Sequence, residues 1–135
     1  MKIIKKQTRQ YFRRYLARRY FDFLAERKIT AESYISSLKN GQYGIVDSNC
    51  FSVDEIEYNL KYILGSSKES IYDLIRVNQI YSMSPDQGTI IAICLGDEYV
   101  FLKPNEDAVF FNCGDSDEDF KVAENYQDFL NMLNR

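Results

Sequence analysis

The chain contains no histidine and no tryptophan, and only three cysteines, two prolines and six glycines in 135 residues. Without histidine, Ser-His-Asp and Cys-His nucleophile systems, histidine-ligated zinc and the usual neutral-pH general base are excluded. An enzyme would have to work with carboxylate, lysine or tyrosine alone. Cys50, Cys94 and Cys113 are odd in number and far apart, with no Cys-x-x-Cys pair, so they read as small apolar side chains rather than a disulfide framework. The scarcity of proline and glycine excludes a low-complexity or disordered chain. No apolar run approaches the roughly 20 residues of a membrane helix. The start, Met1 to Gln7, lacks the apolar core of a signal peptide, and a cytoplasmic location is expected.

What the chain has in quantity is aromatic surface and unevenly placed charge. Apolar residues make up 45% of it, with 11 Tyr and 9 Phe, enough for the core of one domain spanning residues 1–135. Residues 1–40 hold 11 Lys and Arg against 3 Asp and Glu, whereas residues 41–135 hold 6 against 17. The two parts therefore carry +8 and −11. Either the basic part lies on its own acidic body, or one of the two surfaces awaits a partner of opposite sign.

The most readable stretch is Thr89 to Phe111. Thr89–Cys94, Tyr99–Leu102 and Ala108–Phe111 are short β-branched and aromatic runs, separated by Gly96-Asp97 and by Lys103 to Asp107, which reads as an antiparallel meander. Gln79–Met83 alternates and is expected to be the strand entering it. Around this sheet, Tyr11, Phe12, Tyr15, Leu16, Tyr20, Phe23 and Leu24 recur at helical spacing, predicting a basic, aromatic helix within residues 1–28. Thr30 is the expected N-cap of a second helix that stops at Asn40-Gly41. Ser52-Val53-Asp54-Glu55 has the form of a capping box and predicts a third helix to Gly65. A closing helix from about Asn125 presents Tyr126, Phe129, Leu130 and Leu133 on one face.

In order, these signals are Leu38-Lys39-Asn40-Gly41-Gln42-Tyr43-Gly44, the Ile80–Gly88 lead-in, Tyr99–Leu102, Val109–Phe111, an acidic loop, and Val122 to Leu130. The arrangement resembles the SMI1/KNR4, or SUKH, superfamily over Tyr34 to Leu133. The resemblance implies an α+β domain, an antiparallel meander flanked by N-terminal helices and a C-terminal helix. Bacterial members are chiefly immunity proteins that bind and neutralise a cognate toxin, often a nuclease, and fungal relatives regulate cell-wall synthesis. No catalytic set comes with it.

Two surfaces compete as functional sites. The acidic one comprises Asp97 and Glu98 at the first meander turn with Asp115, Asp117, Glu118 and Asp119 in the loop after Phe111, and has Tyr99 and Tyr126 as expected aromatic anchors for a protein partner. Consecutive meander turns lie at opposite ends of a sheet, so Asp97-Glu98 rather than Glu106-Asp107 should flank the Asp115 loop. That loop begins like a calcium site, but Phe120 and Tyr126 stand where glycine and a bidentate glutamate are needed, and no metal or organic cofactor is expected. The basic surface comprises Arg9, Arg13, Arg14, Arg18 and Arg19, whose interleaving with aromatics suits nucleic-acid contact. The sequence favours a non-catalytic immunity protein using the acidic face, with a nucleic-acid-associated regulator using the arginine helix as the alternative.

Overall fold

A computed structural model describes residues 3–4, 14–114 and 117–133, with side chains from residue 18 onward. Its elements are β1 (Ile3–Ile4), α1 (Arg14–Glu26), α2 (Glu32–Lys39), β2 (Ile45–Val46), β3 (Cys50–Val53), β4 (Ile56–Ile63), α3 (Leu74–Ile80), β5 (Thr89–Cys94), β6 (Tyr99–Leu102), β7 (Val109–Asn112), β8 (Phe120–Ala123) and α4 (Tyr126–Met132). The fold is α+β. Strands β3 to β8 form one antiparallel sheet in strictly sequential order, and β1 pairs with β2 beside it. The small sheet is tied to the large one where Gly44 and Ile63 exchange backbone hydrogen bonds of 2.8 and 2.9 Å. No helix among the described residues is long and apolar enough to cross a membrane.

The expected meander, β5 to β7, stands nearly where its sequence places it, and its strands are buried throughout apart from half-buried Tyr99. The helix expected over Ser52–Gly65 is instead the β3–β4 hairpin, with Val53 paired to Ile56. Asp54 and Glu55 both adopt left-handed backbone, φ 55° and 70°, which is the geometry of a tight type I′ hairpin turn. Gln79–Met83 is not a strand: Ile80 ends α3, whose first turn is capped by the Asp73 carboxylate accepting from the Ile75 amide at 3.2 Å. Ala31, not Thr30, is the N-cap of α2, without a side-chain bond. Gly41 at φ 66° ends α2 as expected.

Of the helix expected within residues 1–28, α1 carries the C-terminal half, while Ile3–Ile4 is strand, paired with Ile45 and Val46. Tyr20 and Leu24 are buried and Phe21 and Phe23 half-buried, so α1 does turn an apolar stripe inward. Tyr11 and Phe12 lie outside the described residues. The two faces of the large sheet are covered differently. On the face that carries Phe111, Phe51 stacks edge-on against both Phe111 and Phe129 of α4, at 5.6 and 5.4 Å between ring centroids. The alternate residues Tyr99, Phe101 and Phe110 belong to the opposite face, beside the loop that runs from α3 to β5.

Candidate acidic and aromatic site

The functional candidates meet at one end of the sheet because β6 and β7 are adjacent and antiparallel. Tyr99 pairs with Asn112, so the β5–β6 turn and the β7–β8 loop leave the sheet side by side. The turn is closed by the Cys94 amide donating to the Glu98 carbonyl at 2.8 Å and the Asp97 amide donating to the Cys94 carbonyl at 3.2 Å. Asp97 takes the left-handed position, φ 67°, of a three-residue hairpin loop, which leaves its carboxylate exposed. Glu98 is less available, because its Oε1 accepts from the Gly96 amide at 3.0 Å. Leu95, in the same turn, is 62% exposed.

The β7–β8 loop is organised by Asn112, a polar residue at the end of a buried strand. Its Oδ1 accepts from the Gly114 amide at 2.7 Å, and its Nδ2 donates to Asp119 Oδ1 at 3.1 Å and to the Glu118 carbonyl at 3.4 Å. One side chain thus holds both ends of the loop. Asp119 also forms an ion pair of 3.5 Å with Lys103, whose ammonium rests 4.2 Å from the centroid of the Phe110 ring. Asp117 and Glu118 are exposed. Among the described residues, no three His, Cys, Asp or Glu side chains are grouped so as to hold a metal ion, and Phe120 begins β8 opposite Phe111.

Aromatic rings continue from the acids along the face of the sheet opposite Phe111, where Phe101 and Phe110 are buried. Tyr81 meets Tyr99 edge-on at 6.1 Å, Tyr99 meets Phe101 at 5.5 Å, and Phe101 lies 5.8 Å from Phe110. Burial first, and the nearby Asp97 charge second, hold the Tyr81 hydroxyl above its ordinary pKa; burial and Asp119 do the same for Tyr99. Met83 and Gln87 rise opposite these strands. With Tyr99, Phe101, Asn112, Gly114, Asp117 and Asp119 they line a cleft of about 320 Å³.

The wall formed by the α3–β5 loop is fixed from α1's side. Arg27, one residue past the end of α1, is buried. Its Nε donates to Thr89 Oγ1 at 2.8 Å, while Nη2 donates to the carbonyls of Gly88, at 2.7 Å, and of Met83. Gly88 presses so closely on Leu102 and Phe101 of β6 that a Cβ there would overlap the Leu102 carbonyl, and its φ of 131° also requires glycine.

Of the residues singled out from the sequence, Asp97, Glu98, Tyr99, Asp117, Glu118 and Asp119 come together at this end. Asp115 lies outside the described residues. Tyr126 does not belong to the site. It is 1% exposed, packed edge-on against Tyr34 at 5.1 Å, because the face of α4 that carries it turns inward with Phe129 and Leu130. Arg18 and Arg19 are exposed on α1, whereas Arg9, Arg13 and the side chain of Arg14 lie outside the described atoms. Tyr81, Met83, Gln87 and Asn112 were missed. Only Asn112 gave a signal, as an asparagine ending an otherwise apolar strand run, where that residue type is depleted. No family model, curated protein or solved structure matches this chain.

Proposed function

We propose that this protein is a non-catalytic binding module that neutralises a cognate toxin, such as a nuclease, by covering a basic surface of it with the acidic end of the sheet. This is the role of the bacterial immunity proteins it resembles in sequence order. The observation that carries the reading is the adjacency of two acidic loops, at Asp97-Glu98 and Asp117–Asp119, to aromatic and aliphatic surface left uncovered. Leu95 and Ile80 are each 62% exposed and Tyr81 39%, with half-buried Tyr99 between the loops. Carboxylates there would speed encounter with a positive surface and reject negative ones, while the exposed apolar groups beside them would hold the complex.

The test is stoichiometric binding to the protein encoded by the adjoining gene, followed by stopped-flow association at low and high salt. Replacing Asp97, Asp117 and Glu118 with their amides should slow association at low salt and flatten its salt dependence, with the melting temperature unchanged. Unaltered association in that variant, together with its loss on replacing Arg18 and Arg19, would overturn the acidic-face reading in favour of the arginine helix as the functional surface.

A further inference from the structure

The chain already seats one cation of its own on this face. Lys103 lies over the Phe110 ring and pairs with Asp119, so an aromatic face next to a carboxylate is occupied intramolecularly. The same aromatic wall continues through Phe101 to Tyr99 and into the cleft. There the opposite wall is Met83 and Gln87, and the rim adds the exposed Asp117. The cleft thus repeats the chemistry of the Lys103 seat with more room and a second carboxylate. A planar, weakly hydrated guanidinium fits such a slot better than an ammonium, because it can stack on a ring while forking to a carboxylate.

We propose that the cleft between the α3–β5 loop and the β6–β7 face is the seat for one arginine side chain of the protein partner, stacked on Tyr99 and paired with Asp117. Lys103 sets how much of the Asp119 charge remains for the incoming guanidinium. The identity of the arginine's owner rests on the binding role proposed above, but the chemistry of the seat is independent of it.

The probe is the tripeptide acetyl-Gly-Arg-Gly-amide titrated into the full-length, 15N-labelled protein and followed by amide chemical shifts, with the citrulline tripeptide as the uncharged control. Saturable shifts are expected at Gln87, Gly88, Tyr99 and Gly114 with the arginine peptide and not with citrulline. Asp117→Asn should weaken the arginine peptide about five-fold and Lys103→Met should strengthen it, both with retained spectral dispersion. Equal shifts with citrulline, shifts confined to other surfaces, or an affinity indifferent to Asp117→Asn would overturn the proposal. If the peptide binds as described while no toxin partner is found, the seat stands and the toxin reading falls. If a protein partner binds Asp117→Asn and Tyr99→Leu as tightly as the parent, the seat falls and the broader acidic-face reading remains.

Discussion

The side-chain amide of Asn78 exchanges a pair of hydrogen bonds with the backbone of Ile90, as a neighbouring strand would. Its Oδ1 accepts from the Ile90 amide at 2.8 Å and its Nδ2 donates to the Ile90 carbonyl at 3.0 Å, with a further bond to the Leu74 carbonyl at 2.8 Å. The last β4 pairing with β5 is Ile63 with Ala92, so a side chain of α3 serves the stretch of β5 that β4 no longer reaches.

Asn78→Leu should therefore cost about 2–6 kcal/mol in urea unfolding, since Ile90 would keep two buried polar groups without partners, each worth roughly 1–3 kcal/mol. Asn78→Asp should be about as damaging at pH 7, because it trades a donor for a buried charge, and should recover part of the loss in acid as the carboxyl takes up a proton. A loss below about 0.5 kcal/mol for Asn78→Leu would show that α3 is not pinned to β5 by this amide.

Arg27 plays the corresponding role for the loop that walls the cleft. Its partners are neutral oxygens at three separate positions, a fork that an ammonium cannot reproduce. Arg27→Lys is expected to destabilise by about 1–3 kcal/mol and to raise amide exchange at 83–88 more than in β6 and β7. Uniform exchange across the sheet and loop would place the effect in global unfolding instead.

These two side chains also mark where the sequence stops being legible. The meander was readable because its β-branched runs are bounded by Gly96-Asp97 and by Pro104-Asn105, where turn chemistry and pattern agree. The β3–β4 hairpin was not, because its apolar residues satisfy two periods at once. Ile56, Leu60, Ile63 and Leu64 fit a helix, and Ile56, Tyr58, Leu60 and Tyr62 fit a strand. Its turn is built from Asp54 and Glu55 in left-handed backbone, with neither the asparagine nor the glycine that usually announces it. The acidic half of the site followed from register alone, since the turn at Asp97 and the loop after Asn112 must share an end of the sheet. Its aromatic half did not: Tyr81 reaches Tyr99 of β6 from the C-terminal end of α3, and Tyr126 is removed from the surface by the orientation of α4.

The absence of histidine, with the set of buried tyrosines and Cys94, determines the pH profile. Burial pushes the Cys94 thiol up to about 12, with Glu98 adding to it, and burial likewise raises Tyr20, Tyr34 and Tyr126, Tyr20 further through its hydroxyl bond of 2.7 Å to Asp73. Each raised group binds its proton more tightly in the fold than in the unfolded chain. Its contribution is whole below the unfolded value and is lost as pH rises through the folded one. The melting temperature should be nearly level from about pH 6 to 8, decline from about pH 8.5 as unfolded Cys94 ionises, and fall steeply above about pH 10 with the tyrosines. At pH 8 a thiol reagent such as Ellman's should label Cys94 only at the rate of unfolding, after the half-buried Cys50 and Cys113. Rapid labelling of all three would contradict this burial.

Tyr126 and Tyr81 separate packing from binding. The Tyr126 hydroxyl is buried without a hydrogen bond of regular geometry, although Ser37 is a polar neighbour, whereas its ring packs against Tyr34. Tyr126→Phe removes an unsatisfied polar atom and keeps the ring, so stability should stay level or rise by up to about 1 kcal/mol. Tyr126→Ala would remove a buried aromatic and should cost about 3–5 kcal/mol. Tyr81 is the converse case, exposed at the acidic end with one edge on Tyr99. Tyr81→Ala should change stability by no more than about 1 kcal/mol yet weaken a bound partner at least tenfold, mainly by faster dissociation, if this ring anchors the interface. Calorimetry on the free variants and dissociation rates on the complex supply the four values. A Tyr126→Phe protein that loses its partner while keeping its melting temperature would mean that α4, not the Asp97–Asp119 end of the sheet, carries the contact.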